Sequence, residues 1–300
     1  MNYLSITHCS ASKAFVPDFK VSDLNLDKTF NETHSKWSFI VENSNPRCLA
    51  KDLYRGGGYK TLSSQLISET FYTISAGLGL IKSNEKIPSY ECTVSRGKPG
   101  SIVDYFKEDF DLKKWWDFLM STKYSSGSIS KNTKDADIIL ISVTADYLKM
   151  IADDLKNIQK QFYIFTGSND LAIELGFKDN LMPYNNVFDG PNGTQRGTNR
   201  DFPQRSHTDF IKRLKLYNSF EKAFSSVEMD MKNWTPPVKH NNAKKTDEEI
   251  LNLIEFNQLN YPKVKDLLKF FRNDLKVACE ENRFKKLYKL FKEKNVCLMI

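Results

Sequence analysis

Asp137-Ile-Ile-Leu-Ile-Ser-Val143 is a continuous apolar run. A strand wet on one face alternates apolar and polar residues, whereas a run like this suits a central strand of a parallel sheet, covered on both faces. Downstream, Tyr147, Leu148, Ile151 and Leu155 recur at helical spacing and predict a helix over 146–158. Phe162 to Phe165 reads as the next strand. Upstream, Tyr3-Leu4-Ser5-Ile6-Thr7 and the β-branched, aromatic stretch Thr70–Ser75 read as strands, with a helix from Leu62 to Glu69 between them. Strands alternating with helices predict an α/β fold, a mainly parallel sheet with flanking helices. A helical tract with Trp115 and Trp116, a polar loop over 121–134 and a helix from His207 to about Ser225 complete this part. Four strands end in small polar turns: Cys9-Ser10, Ser75-Ala76-Gly77, Ser142-Val143-Thr144 and Thr166-Gly167-Ser168. In such a sheet these turns gather at the carboxyl edge, where ligands bind.

Beyond this body the character changes. Trp234-Thr-Pro-Pro-Val-Lys-His-Asn-Asn-Ala-Lys-Lys245 reads as a linker. Thr246 with Glu249 three residues on is a capping box, opening helices at about 246–258, 262–277 and 280–294. The expected organisation is a nucleotide- or base-binding domain over 1–233, a linker over 234–245 and a small helical module over 246–300. The 300 residues carry a net charge of +7, and residues 260–300 hold most of that excess. A polyanion is the natural partner of such a segment, a merely solvated helix face the alternative. Lys285, Lys286 and Lys289 share much of one side of the last helix and are candidate contacts to a DNA backbone, with Leu287, Leu290 and Phe291 facing inward. The five cysteines are scattered without a CxxC pair, which argues against a structural zinc and for reduced thiols in a cytosol. No run reaches the roughly 18 apolar residues of a membrane span, and the first residues do not read as a secretory signal.

Thr198-Asn199-Arg200-Asp201-Phe202-Pro203-Gln204-Arg205 is the densest polar group. Its arginines suit a phosphate, and Asp201 suits a base or a stabiliser of a cationic sugar; alternatively Asp201 caps the next helix and pairs with an arginine. Arg55-Gly56-Gly57-Gly58 would let backbone amides approach a phosphate, without the spacing of a P-loop. Cys9, Ser10 and Lys13 place a thiol, a hydroxyl and a cation after the first strand, and the four histidines His8, His34, His207 and His240 show no diagnostic spacing. Tyr90 suits stacking on a base, and Glu91 is a second carboxylate.

The order of Cys9-Ser10-x-x-Lys13, Ile74-Ser-Ala-Gly-Leu-Gly-Leu80, Pro88-Ser-Tyr-Glu91 and Ser142-x-x-x-x-Tyr147-Leu148 resembles an α/β family found beside phage and DNA-modification genes. That family is distantly similar to the YaaA peroxide-stress DNA-binding proteins and to DNA glycosylases acting on modified bases in anti-phage defence. The resemblance covers roughly residues 1–225, and Leu267–Phe284 is similar to a helical module appended to such proteins. It implies an enzyme that excises or exchanges a modified base in DNA by cleaving an N-glycosidic bond, with DNA as partner and neither metal nor cofactor. In that reading Asp201, then Glu91, is the catalytic carboxylate. Arg55, Arg200 and Arg205 hold phosphates, and Tyr90 stacks. Cys9, Ser10, Lys13, Gly57, Ser75, Gly77, Asn199 and Gln204 complete the substrate pocket. A non-catalytic nucleic-acid-binding or sensing protein is the alternative.

Overall fold

The computed structural model describes residues 2–24, 29–66, 69–106, 110–193, 197–238 and 242–297. Residues 67–68 of the expected helix, 194–196 of the Gly- and Arg-rich loop, and 239–241 of the linker, with His240, lie outside them. Two compact units divide the chain at Pro237 and Val238.

The first unit is built on a mixed, mostly parallel five-stranded sheet. Its strands are β1 (Tyr3–His8), β2 (Tyr72–Ser75), β3 (Gly79–Lys82), β4 (Ile138–Ser142) and β5 (Gln161–Phe165), in the spatial order β3-β2-β1-β4-β5. β1 pairs in parallel with β2 and with β4, and β4 with β5. Every residue of β4 is buried, as its unbroken apolar run requires. The segment 76–80, read as a turn ending at Leu80, instead turns back into β3, which pairs antiparallel with β2 from Ser75 opposite Gly79. Gly79 makes the hairpin possible: its φ is +80°, and a Cβ there would stand 2.6 Å from the Leu119 carbonyl oxygen.

The main helices of this unit are α1 (Phe30–Glu42), α2 (Gly57–Gln65), α3 (Leu112–Leu119), α4 (Ala145–Lys156), α5 (Asn169–Glu174), α6 (Phe202–Tyr217) and α7 (Phe220–Asn233). The sheet is sandwiched between them. On one face the Tyr59 hydroxyl of α2 meets Thr73 at 2.8 Å, and His207 of α6 stacks on Phe165 at 4.6 Å. On the other, Tyr147 of α4 packs against His8. Trp116 of α3 donates to Asp154 of α4 at 3.2 Å, and the Asp154 carboxylate also receives the Ile129 amide at 2.7 Å.

Two helix expectations need correction. α2 starts at Gly57 rather than Leu62: Gly56 is pinned by its amide to Ser10 Oγ at 2.9 Å, so the glycine run begins the helix instead of preceding it. The single helix expected from His207 to about Ser225 is two, because Asn218 adopts a left-handed φ of 48° and ends α6 there.

The second unit holds α8 (Asp247–Asn257), α9 (Val264–Asn273) and α10 (Glu281–Cys297) around Ile250, Ile254, Leu267, Phe271, Phe284 and Leu287. The Thr246 capping box forms: Thr246 Oγ1 accepts the Glu249 amide and Glu249 accepts the Thr246 amide at 2.8 Å. Ala243–Lys244 pairs with Val277–Ala278, so the end of the stretch read as linker is built into this unit. Leu287 and Phe291 pack inward, but Leu290 is 41% exposed and does not.

Candidate functional site

β1 connects to β2 on one side and is flanked by β4 on the other, so the chain reverses its direction of sheet-building between β1 and β4. The crevice at the carboxyl ends of those strands is where an open α/β sheet places a ligand. A cavity of about 710 Å³ lies there. Its walls are the turn His8–Ser12, Gly56–Gly58, Cys92 to Lys98, Thr144–Tyr147, and Thr198–Asp201 with Gln204.

Those walls include residues from the N-terminal turns of three helices: α2 at Gly56–Gly58, α4 at Thr144–Tyr147 and α6 at Asp201 and Gln204. First-turn amides have no acceptor within their own helix, and the helix dipole adds positive potential. Neither α2 nor α4 carries a side-chain cap. A Cβ at Gly57 would meet nothing within 4 Å, so the backbone here faces open space. Arg96, Lys98 and Arg200 stand exposed at the cavity. None of the three forms an ion pair with another of the described residues. The site thus collects amides and free cations, the surroundings a phosphate prefers.

The floor is a buried polar network under α6. Gln204 donates to Thr7 Oγ1 at 3.0 Å and to the His8 carbonyl at 2.8 Å. Ser142 Oγ donates to Thr7 Oγ1 at 2.9 Å and receives His207 Nδ1 at 3.1 Å, while His207 Nε2 faces Ser5 Oγ at 3.2 Å. Burial pushes the His207 imidazole down to about 3, so it works as a neutral linker. His8 differs: it lines the cavity itself. Its Nδ1 lies 3.1 Å from the Ser142 carbonyl, which can only accept, so Nδ1 carries the hydrogen and Nε2 keeps a lone pair. Burial lowers its pKa to about 4, the Ser142 bond opposing and the Arg200 charge assisting. The imidazole is therefore neutral at physiological pH and presents Nε2 as a hydrogen-bond acceptor.

Asp201 lines the cavity and is held in place. Its Oδ1 accepts the Thr198 amide at 2.8 Å and Arg205 Nε at 2.9 Å. Arg205, 5% exposed, also donates to Asp189 at 2.7 Å and to the Thr198 carbonyl at 3.0 Å. Arg205 thus braces Asp201 from below instead of lining the cavity. The alternative in which Asp201 pairs with an arginine is realised, although its side chain does not cap α6.

Beside the main cavity lies a smaller one of about 360 Å³, sharing Ala11, Cys92, Thr93, Lys98 and Arg200 with it. Lys13, Tyr90 and Glu91 line it. The Tyr90 hydroxyl bonds Ser75 Oγ at 2.6 Å and the Tyr54 hydroxyl at 3.0 Å, and Lys13 Nζ stands 4.3 Å over the Tyr90 ring. Tyr90 is fully buried, so its ring carries Lys13 rather than offering a face to a base. Cys9 Sγ meets the Tyr147 hydroxyl at 3.1 Å. A third cavity, about 730 Å³, adjoins the first through Thr144, Ala145, Ser168 and Asn199 and is rich in amides, Asn169, Asn185 and Asn186 among them.

The structure therefore gathers Cys9, Ser10, Gly57, Asn199, Arg200, Asp201 and Gln204 in one cavity, with Lys13, Tyr90 and Glu91 next door. Arg55 lies elsewhere, at a shallow depression beside Lys51 and Lys60. Ser75 and Gly77 are internal: Ser75 holds the turn through the Leu78 amide at 2.9 Å, and Gly77 accepts Trp37 Nε1 at 2.7 Å. In the second unit, Lys285 pairs with Glu281 at 2.6 Å and Lys289 with Glu293 at 3.7 Å, leaving Lys286 without an ion pair to the described residues. No site role was expected from the sequence for His8, Arg96 or Lys98, whereas Thr144 at the start of α4 belongs to a polar turn expected at the carboxyl edge. The signals were present: His8 ends a strand, and Arg96-Gly-Lys-Pro-Gly100 is a basic turn.

Among the described residues no three His, Cys, Asp or Glu side chains come together as a metal site, and no helix is long and apolar enough to cross a membrane. The chain matches no protein-family model, no curated protein and no solved structure.

Proposed function

We propose that the cavity at the carboxyl ends of β1 and β4 holds one flipped-out nucleotide of DNA and that the protein cleaves its N-glycosidic bond, releasing a modified base. One observation carries the reading. A braced carboxylate, Asp201, and a neutral imidazole, His8, share a cavity with three helix N-termini and with Arg96, Lys98 and Arg200, which have no ion pair among the described residues. Amides and cations suit the phosphates of an extruded nucleotide. Bond cleavage builds positive charge on the sugar, and a fixed carboxylate lowers that barrier. The Arg205 brace is what keeps Asp201 fixed. The lone pair on His8 Nε2 accepts a hydrogen bond that orients the attacking water, whose proton passes to solvent once it has added to the sugar cation. The amide-rich neighbouring cavity offers donors and acceptors to the edge of a base. Glu91 sits in the side cavity and is the lesser choice for the stabilising carboxylate. The ordered motifs resembling DNA glycosylases of anti-phage defence support the same reaction class, and the free cysteines Cys9, Cys48, Cys92 and Cys279 fit a cytoplasmic setting.

The test is base release. Purified protein incubated with phage DNA carrying hypermodified bases is expected to yield free modified base by mass spectrometry. DNA that is bound yet returns every base intact overturns the enzymatic reading. It would favour the non-catalytic binder, a reading supported by the tie between Asp201 Oδ1 and Arg205.

A further inference from the structure

The three cavities of the first unit change in chemistry from one to the next. The amide-rich cavity meets the main one through Thr144, Ala145, Ser168 and Asn199, and neither a lysine nor an arginine lines it. The side cavity meets the main one through Ala11, Cys92, Thr93, Lys98 and Arg200, and it shares no lining residue with the amide-rich cavity. Among its described walls the cations Lys13, Lys98 and Arg200 stand against one carboxylate, Glu91. Lys98 and Arg200 are exposed, whereas Lys13 is half-buried. Its Nζ lies 4.3 Å from the centre of the Tyr90 ring and 5.9 Å from that of Tyr54. It makes neither a hydrogen bond nor an ion pair with the described residues. We propose that the side cavity is a binding site for a single phosphate group, with the Lys13 ammonium as its inner ligand and Lys98 and Arg200 closing on the same group. The placement of base and sugar rests on the nucleotide reading above; the phosphate site does not depend on which bond is cleaved.

An ammonium has three N–H donors and no acceptor. The faces of Tyr90 and Tyr54 attract its charge but give it no oxygen, since the two hydroxyls bond each other and Tyr90 also bonds Ser75. Donors held this way lack acceptors, and a phosphate oxygen supplies them in charge-assisted bonds. Burial pushes the Lys13 pKa down, with Cys9, Cys92 and Glu91 opposing; a bound phosphate acts with them and favours the ammonium. Glu91 sets the limit: three cations against one carboxylate suit one phosphate group and not a polyphosphate. The order of the cavities is the order of a nucleotide. Donors and acceptors for a base edge come first, then Asp201 and His8 for the sugar, then the cations around Lys13 for the phosphate. A diester within a strand and the terminal monoester of a free nucleotide present the same oxygens to this site.

The test labels the lysines of the full chain with an amine-reactive ester, alone and with each of three probes: a deoxynucleoside, its 5′-monophosphate, and a single-stranded oligonucleotide without terminal phosphates. Peptide mapping is expected to show labelling of Lys13 slowed at least ~5-fold by a phosphate-bearing probe and unchanged by the deoxynucleoside. Lys178, which is exposed and lines none of the three cavities, serves as the reference. Protection by the oligonucleotide assigns the site to the diester of a strand, and protection by the monophosphate to a terminal monoester. Lys13 labelled alike with all probes, or protected equally by the deoxynucleoside, overturns the proposal. Lys13→Gln keeps most of the stem and removes the charge. Calorimetry is expected to show binding of the protecting probe weakened at least ~10-fold. A variant that melts like the wild type and binds undiminished also overturns the proposal, and labelling of the wild-type chain decides the matter if the variant fails to fold. Base release with Lys13 unprotected removes this site and keeps the glycosylase reading. Protection without base release does the reverse.

Discussion

Two basic regions of the molecule treat their charges in opposite ways. The last helix holds the greater formal excess, yet Lys285 and Lys289 are engaged by Glu281 and Glu293 one helical turn away. Lys285 in turn draws the Glu281 carboxyl below its ordinary range. At the cavity of the first unit the formal excess is modest, but Arg96, Lys98 and Arg200 lack carboxylate partners among the described residues. Counting lysines along a chain measures total charge, whereas a phosphate responds to the charge left over. On the proposed reading the cavity therefore outranks the tail as the seat of specific anion binding, and the tail is left at most a general attraction.

The sharpest way to break this ranking acts inside the cavity. Asp201→Asn keeps the shape and a hydrogen-bond acceptor for Arg205 but removes the charge that the proposed mechanism sets against the sugar. Base release is expected to fall by ~10³-fold with folding retained. A folded variant with wild-type turnover removes Asp201 from the chemistry.

Acid separates the two units next. His8 and His207 are held neutral by burial, at about 4 and about 3, whereas an unfolded histidine takes a proton near pH 6.5. The unfolded chain thus binds more protons, and the stability these residues contribute is complete above pH 6.5 and declines as pH falls toward 4. At pH 5 each is expected to have lost about 2 kcal/mol. Residues 242–297 contain no histidine, and all four tryptophans lie in the first unit. Tryptophan fluorescence during urea unfolding is expected to shift to lower midpoints from pH 7 to pH 5. Hydrogen exchange in α8–α10 is expected to change much less. Equal responses of the two units would sink the assignment.

Replacing Arg96, Lys98 and Arg200 together by Gln is expected to weaken binding of a single-stranded oligonucleotide at least ~10-fold, as charged hydrogen bonds to phosphate are lost. Fluorescence anisotropy at fixed salt reads it. The smallest effect is expected in the tail. Lys285, Lys286 and Lys289 changed together to Gln should weaken binding less than ~3-fold and lower the salt slope by under ~1, because two of the three already have partners. A larger loss from the tail than from the cavity inverts the comparison.

The parts of this picture that the sequence disclosed are those set by local pattern. The apolar run at 137–143 announces a central strand because burial on both faces leaves no room for alternation. The helix of Ala145–Lys156 follows from its apolar spacing, and the Thr246 box from two residues. What stayed hidden depends on distant partners. β3 exists because Gly79 turns the chain back onto β2. The early start of α2 depends on Ser10, far away in sequence. Asp201 and Arg205 were visible as polar residues, but which of them lines the cavity is decided by Asp189 behind Arg205. His8 shows no diagnostic spacing in the sequence because what fixes its tautomer is the Ser142 carbonyl across the sheet.

Gly58 gives the cavity a direction of growth. A Cβ at that position would stand 2.8 Å from Gln204 Oε1 and 2.9 Å from Asp201 Cβ, so α2 and α6 touch there with nothing between them. That seam cannot widen to admit a larger guest without parting the two helices. Another wall is a loop pinched at its base, where the Thr93 amide donates to the Gly100 carbonyl at 2.8 Å and the Ile102 amide donates to the Thr93 carbonyl at 2.8 Å. Gly97 and Gly100 within it have φ of +66° and +72°, and Arg96 and Lys98 ride on it. For the nucleotide of the proposed reading, bulk added on the side of the α2–α6 seam is therefore the bulk the cavity would refuse.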